Sequence, residues 1–228
     1  MRKGGGIVIK CVDVWKEYES ARVEALRGIN LEIKRGKRIA ILGPSGSGKS
    51  TLMHIIGCLD KPTKGKVYVN GIDVSTLNED ELAKIRGSTI GFVFQFFYLV
   101  PYLSALENVM LPILLTKGKA DKKLALELLK KVGMEHRANH LPSQLSGGER
   151  QRIAIARALA NNPEIILADE PTGNLDTKRG KEIMDLLVRL NKEEGKTIVM
   201  VTHDLEMAKK MKRILYIKDG KIVKEVKK

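Results

Sequence analysis

Residues Gly43–Thr51 read G-P-S-G-S-G-K-S-T, and their two flanks leave this stretch few ways to fold. Arg38-Ile39-Ala40-Ile41-Leu42 ahead of it is a short apolar run suited to a buried strand. Leu52-Met53-His54-Ile55-Ile56 behind it suits the first turns of a helix. Strand, glycine loop and helix in that order is the context in which G-x-x-x-x-G-K-[S/T] cradles phosphates. Gly43, Gly46 and Gly48 tolerate backbone angles that side chains resist, so successive amides can turn inward beside the positive end of the helix. The candidate polyphosphate loop therefore comprises Gly43, Pro44, Ser45, Gly46, Ser47, Gly48, Lys49, Ser50 and Thr51. In it Lys49 supplies a point charge for the β- and γ-phosphates, and the Ser50 hydroxyl a ligand for magnesium. A glycine-rich turn with a chance lysine is the plain alternative, and the two matching flanks argue against it.

The 228 residues suffice for one large domain, with or without an inserted lobe. A hydrophobic content of 43% supports a sizeable core, and 30% charged residues a solvated surface. The longest apolar stretch, Phe96 to Leu115, is interrupted by Pro101, Ser104, Glu107, Asn108 and Pro112, so no span of a bilayer is expected. Met1-Arg2-Lys3-Gly4-Gly5-Gly6 leads into an alternating segment instead of an apolar block, which places the chain in the cytosol. Cys11 and Cys58 lie far apart and outside any metal-ligand spacing, as core thiols of a reducing compartment do. The net charge of +14 fits nucleic acid, anionic lipid or a lysine-rich surface. Its spread along the chain favours the last, and no nucleic-acid groove is expected.

Strands are expected over Ile7–Val14 and Ile29–Ile33, with a turn near Glu19-Ser20-Ala21 between them. Lys64–Gly71 reads as a strand ending in Asn70-Gly71, a hairpin signal. Asn78 is the N-cap of a short helix through Ile85, and Gly91–Gln95 is a further strand. From about Phe96 to Asn162 helical spacing takes over, in Ala105–Leu115, Lys122–Val132 and Arg150–Ala160. Glu164–Asp169 and Thr197–Thr202 return to strands around a helix from about Lys178 to Leu190. Ile214–Ile217 and Lys221–Val226, divided by Asp219-Gly220, form a closing hairpin. The expected fold is α/β, with a core of residues 1–95 and 163–228 and an inserted all-helical lobe over 96–162.

Ile165–Ala168 runs directly into Asp169-Glu170-Pro171. A buried strand ending in two acids carries both carboxylates to the edge of a sheet where nucleotides sit. Asp169 there would hold magnesium and Glu170 would polarise a water in line with the γ-phosphate. Leu145-Ser146-Gly147-Gly148-Glu149-Arg150-Gln151 adds a second helix start, capped by Ser146 and with bare amides. One phosphate loop already serves one nucleotide. The second terminus is then either a cap without a ligand or a contact reaching a nucleotide held by a partner.

L-S-G-G-E-R-Q together with the phosphate loop, I-I-L-A-D-E-P, Gln95 and His203 resembles the ATPase subunit of an ATP-binding-cassette transporter, over essentially the whole chain. D-K-P-T-K-G, G-F-V-F-Q and A-D-E-P-T-G-N-L-D are similar to the branch of lipoprotein-release, macrolide-export and cell-division cassettes. The resemblance implies a phosphate-loop NTPase core of RecA-like mixed sheet, an antiparallel β subdomain and the inserted helical lobe. It implies ATP and Mg2+ as ligands and hydrolysis of ATP. It implies a head-to-tail homodimer in which Ser146, Gly147 and Gly148 serve the opposite subunit's ATP. It also implies a transmembrane permease partner, with the chain peripheral on the inner face of the membrane.

By the same resemblance Tyr18 stacks on adenine, with an ordinary strand-end tyrosine as a serious competing reading. Gln95 contacts magnesium and the attacking water, His203 bonds the γ-phosphate and orients Glu170, and Asp176 communicates between the two sites of the dimer. One departure is Phe96-Phe97-Tyr98-Leu99, where similar proteins often carry a second polar residue. This run is either core or, the preferred reading, the lining of a groove that grips a helix of the membrane subunit. Soluble cassette ATPases of DNA repair, chromosome organisation or metal-cluster assembly are the alternatives; no sustained heptads support the first.

Overall fold

The computed structural model describes residues 6–18 and 23–228, and the turn expected near Glu19–Ala21 lies outside them. In chain order the strands are β1 (Ile7–Tyr18), β2 (Val23–Lys34), β3 (Arg38–Leu42), β4 (Lys64–Val69), β5 (Ile72–Asp73), β6 (Ile90–Phe94), β7 (Ile165–Asp169), β8 (Thr197–Thr202), β9 (Arg213–Lys218) and β10 (Lys221–Lys227). The helices are α1 (Lys49–Ile56), α2 (Glu79–Thr89), α3 (Ala105–Lys117), α4 (Lys122–Lys131), α5 (Gly147–Ala158), α6 (Thr177–Glu194) and the one-turn α7 (Leu205–Ala208).

Two sheets form. A six-stranded sheet runs β10-β9-β3-β8-β7-β6 and is parallel except for β10, while an antiparallel sheet runs β2-β1-β4-β5. Parallel strands covered on both faces read as unbroken apolar runs. Accordingly Ile39, Ala40, Ile41 and all of Ile165–Ala168 are fully buried. Alternate residues serve opposite faces: Ala40, Ile166, Ala168, Ile198 and Met200 pack with α3, α4, α5 and α6. Ile39, Ile41, Ile165, Leu167, Val199 and Val201 pack with α1 and the antiparallel sheet. The mixed α/β architecture expected from the sequence is thus present.

Several elements outrun their sequence signals. β1 continues to Tyr18 because Asp13, at φ 48, opens a bulge that resets the in–out alternation after Val14. β2 begins at Val23 because its first residues pair with β1 while facing solvent, so no apolar pattern announces them. The Asn70-Gly71 turn is as expected: both residues have positive φ, 50 and 80, and they join β4 to the two-residue β5. Asn78 caps α2 in a reciprocal box with Glu81, and the helix runs on to Thr89.

Between β6 and β7 the chain forms α3, α4 and α5, packed through Val109, Ile113, Leu129 and Ile153. α5 starts at Gly147, three residues ahead of the expected Arg150, because its first turn is Gly-Gly-Glu and offers no apolar periodicity. Its far end lies against β6 at Gly91, where a Cβ would stand 2.4 Å from the Ala158 carbonyl oxygen. Among the described residues no helix is long and apolar enough to cross a membrane. Burial pushes the thiol of Cys11 up to about 12 and that of Cys58 up to about 11, as befits core residues.

Candidate active site

The glycine loop leaves the carboxyl end of β3, between β8 and β9, and closes on α1. Its glycines are required for different reasons. A Cβ on Gly43 would lie 2.2 Å from the Ile217 carbonyl oxygen of β9, and one on Gly48 2.4 Å from the Ala25 carbonyl oxygen. Gly46 has open space but a φ of 74. The loop is thereby pressed between two other backbones and left with its amides bare. Lys49 is buried and donates to the Pro44 carbonyl at 2.7 Å, so its ammonium hangs over the loop it belongs to. Burial lowers its pKa, against the pull of Glu170 and then Asp169. Ser47 keeps a buried hydroxyl without a hydrogen-bond partner at the base of the loop.

The two acids end β7 beside this loop. Burial raises the pKa of Asp169 and the charge of Glu170 raises it further; His54, Lys49 and a hydrogen bond from Ser50 oppose them. Ser50 thus stands near Asp169. Glu170 has φ 45, a left-handed conformation costing about 1–3 kcal/mol in a non-glycine residue. Its amide still reaches the Val201 carbonyl at 2.9 Å, so β8 holds the kink in place. One carboxylate oxygen lies 2.8 Å from His203 Nδ1 and the other accepts from Thr202 Oγ1 at 3.3 Å. Lys49, Ser50, Thr51, Ser45, Glu170 and His203 all line one cleft of about 600 Å³.

Gln95 follows β6 and is turned towards the segment after Glu170: its Nε2 donates to Asn174 Oδ1 and Asn174 Nδ2 donates to the Gln95 carbonyl, both at 3.1 Å. It does not line the cleft. Gln151, fully buried, donates from one amide to the Phe94 carbonyl at 3.2 Å and to the Pro171 carbonyl at 2.6 Å. It ties α5 to the ends of β6 and β7. Thr202, Asn174 and Gln151 were not expected as site residues. Each lies within three residues of one that was, in T-H-D, G-N-L-D and G-E-R-Q, but only the fold shows which carbonyl or carboxylate it reaches.

The remaining candidates lie outside the cleft. Tyr18 donates from its hydroxyl to Asp60 Oδ2 at 3.1 Å, and the Lys16 ammonium stands 5.0 Å from its ring centroid. Burial pushes the Asp60 carboxyl up, but hydrogen bonds from Lys16, the Lys61 amide and Tyr18 outweigh it and hold the group low. Ser146 caps α5 in a reciprocal box with Glu149. Asp176 caps α6 by accepting from the Arg179 amide at 2.9 Å. These two helix starts adjoin: a Cβ on Gly147 would be 3.3 Å from Leu175 and one on Gly148 3.2 Å from Arg179.

The run Phe96–Leu99 divides: Leu99 packs against the core, whereas the exposed rings fit neither expectation. Phe96 and Tyr98 are 63% and 62% exposed, so they are not core. Nor do they line the groove of about 690 Å³ found nearby, whose walls include Leu59, Phe92, Phe94, Leu115 and Arg157. Tyr98 stands at its edge, its ring set T-shaped against Phe94 at 5.2 Å. The strand delivers the groove's aromatics two residues earlier than the run itself, because alternate residues of β6 face that side.

Sheet order, glycine loop and paired acids define a phosphate-loop ATPase with an inserted signature helix. The family model described as ABC transporter matches residues 26–173, and the chain belongs to that family. It is an ATP-binding, ATP-hydrolysing cassette of the transporter type. An ABC transporter ATP-binding protein of Methanocaldococcus jannaschii, MJ0796, is 55% identical over 96% of this chain and 97% of its own. The lipoprotein-releasing system ATP-binding protein LolD of Legionella pneumophila is 47% identical over 95% and 97%. The dimeric post-hydrolysis structure of MJ0796 bound to ADP and Pi superposes with a TM-score of 0.89 at 54% identity, covering 96% of this chain and 98% of that one. CbiO1 of Clostridium perfringens, part of the cbiONQ transporter complex, gives 0.87 at 32% identity, over 97% and 88%.

Proposed function

We propose that the chain works as a nucleotide-operated clamp, two copies facing head to tail around two ATP molecules. One observation carries this reading: two phosphate-type helix starts, Gly48–Ser50 and Ser146–Gly148, belong to one chain, yet only the first lines the cleft. Outside its Ser146–Glu149 box the second keeps the amides of Gly147 and Gly148 and a positive helix end for which the described residues supply no phosphate-type ligand. A second copy supplies the missing half, and the dimeric state of MJ0796 bound to ADP and Pi is in line with this.

Within each half, Lys49 and the loop amides hold the phosphates and Tyr18 takes the adenine side. Glu170, fixed through both oxygens, takes the proton of the attacking water, while His203 orients it and faces the γ-phosphate. Asp176 lies beside the signature turn and relays between the two sites. Magnesium fits the donor set: Ser50 stands near Asp169, whose carboxylate is disfavoured by burial and by Glu170 and only partly compensated by His54, Lys49 and Ser50. Ser50, Asp169 and, once released from Asn174, Gln95 would hold the ion, which when bound neutralises phosphate charge.

The core of residues 1–95 and 163–228 would then close against the helical lobe of 96–162 across the dimer. The apolar groove beside α3 and β6 is the seat for a cytoplasmic segment of a membrane permease, which holds the cassette at the inner face of the membrane. We assign the chain to the branch of lipoprotein-release, macrolide-export and cell-division cassettes, and the 47% identity with LolD supports this. Glu170→Gln tests the clamp: it is expected to bind Mg-ATP, lose turnover and double its mass in light scattering. A variant that stays at the mass of one chain under saturating Mg-ATP rejects the reading.

A further inference from the structure

Phe97 and Tyr98 adopt left-handed backbone angles, φ 60 and φ 45, one directly after the other. Bulky residues persist there only when their surroundings hold them. Here the Phe97 amide reaches the Phe94 carbonyl at 3.4 Å and the Tyr98 amide the Phe96 carbonyl at 2.5 Å, and one side chain holds the turn's own carbonyls. Arg157, near the end of α5, donates through Nη2 to the Phe97 carbonyl at 2.7 Å and through Nη1 to the Tyr98 carbonyl. Burial lowers its pKa, so the guanidinium has lost water and depends on these two carbonyls for compensation.

The turn it grips touches three places. Gln95 lies two residues upstream, locked to Asn174 in the segment that follows Glu170. The Phe97 ring carries the Arg150 guanidinium at 5.2 Å and lies 3.8 Å from where a Gly147 Cβ would stand, against the signature turn. The Tyr98 ring packs on Phe94 at the rim of the apolar groove, and Arg157 itself forms part of that groove's wall. A planar fork bridging two successive carbonyls fixes a backbone in a way a single donor does not.

We infer that Arg157 is a positioning residue for ATP hydrolysis: by holding the Phe97–Tyr98 turn it sets the place of Gln95 and of the signature turn, and it carries the state of the groove to both. The inference rests on the assignment of Glu170 and Gln95 proposed above. It concerns a residue outside the nucleotide cleft, so its removal should leave substrate capture intact and slow the chemical step.

The test compares Arg157→Gln and Arg157→Lys with the parent full-length chain. Steady-state phosphate release, thermal melting and hydrogen exchange of the amides of residues 96–99 are measured. Arg157→Gln is expected to lose more than tenfold in kcat with KM for ATP within twofold, and to exchange faster at 96–99. Arg157→Lys, which keeps charge but not the fork, should fall between the two. If the glutamine variant does not fold, the lysine variant decides alone: a kcat lowered at least threefold at constant KM supports the inference. Parental kcat in either folded variant overturns it, as does a lowered melting temperature with turnover unchanged. Glu170→Gln is run in parallel. Full turnover there removes the assignment on which the inference stands, whereas lost turnover there with parental kcat at Arg157 removes the inference alone.

Discussion

Nδ1 of His203 stands 2.8 Å from Oε1 of Glu170, bridging the ends of β8 and β7. The two are unequally placed: the His203 side chain is 71% exposed and that of Glu170 17%. Thr202 holds the other carboxylate oxygen from the protein side. A general base contributes ~10²–10⁴-fold to rate, and groups that only orient it contribute less. The expected order of loss in phosphate release is therefore Glu170→Gln, then His203→Ala, then Thr202→Val. Equilibrium affinity for ATP should change little in all three, and a Thr202→Val more damaging than His203→Ala would reverse the assignment of roles.

The loop glycines separate a steric requirement from a conformational one. Gly43→Ala places a methyl 2.2 Å from the backbone oxygen of Ile217, whereas Gly46→Ala meets nothing within 4 Å and suffers only its φ of 74. Gly46→Ala should cost about 1 kcal/mol and keep measurable nucleotide binding. Gly43→Ala must move β9 or the loop, and should lose binding altogether. Calorimetric titration with ATP, next to thermal melting, distinguishes them.

Asp169 has its pKa raised, first by burial and then by Glu170. A carboxyl that is harder to ionise in the folded state helps stability below its unfolded pKa, and that help is lost as pH rises through the folded value. As pH rises the nucleotide-free chain thus bears the cost of ionising Asp169. Asp169→Asn should melt higher than the parent at neutral pH without nucleotide, and the gap should close in acid, below the ordinary carboxylate range. The same variant should gain little from Mg-ATP. Melting curves across pH, with and without Mg-ATP, check both signs.

Leu115 is 77% exposed on the wall of the apolar groove, and nothing in the cleft touches it. Leu115→Glu puts a charge where a permease segment would lay apolar surface. Binding to solubilised membrane subunits should weaken at least tenfold while the basal ATPase rate stays at the parent level. Retention of full-strength binding would place the permease on another face.

Much of the site was legible from residue order. The phosphate loop, the acids closing β7, the Ser146 cap and the Asn70-Gly71 turn are local devices: each depends on residues a few positions apart, and backbone sterics or capping chemistry act at that range. The same holds for the unbroken apolar runs of β3 and β7, whose composition reflects cover on both faces. Elements lacking such a local mark were shortened or missed, as with β2, whose first residues are strand only because β1 pairs with them.

Sequence alone therefore determined the class of chemistry and the residues able to perform it, since phosphate binding and proton transfer demand particular side chains at particular local spacings. Only the tertiary structure decided which of them share a cleft. It placed Glu170 against His203 and Thr202, left Ser146–Gly148 outside the cleft, and set Arg157 across the Phe97–Tyr98 turn, 59 residues distant from Tyr98 in the chain. Contacts of that kind arise from packing between strands and helices far apart in order, and no spacing along a chain encodes them.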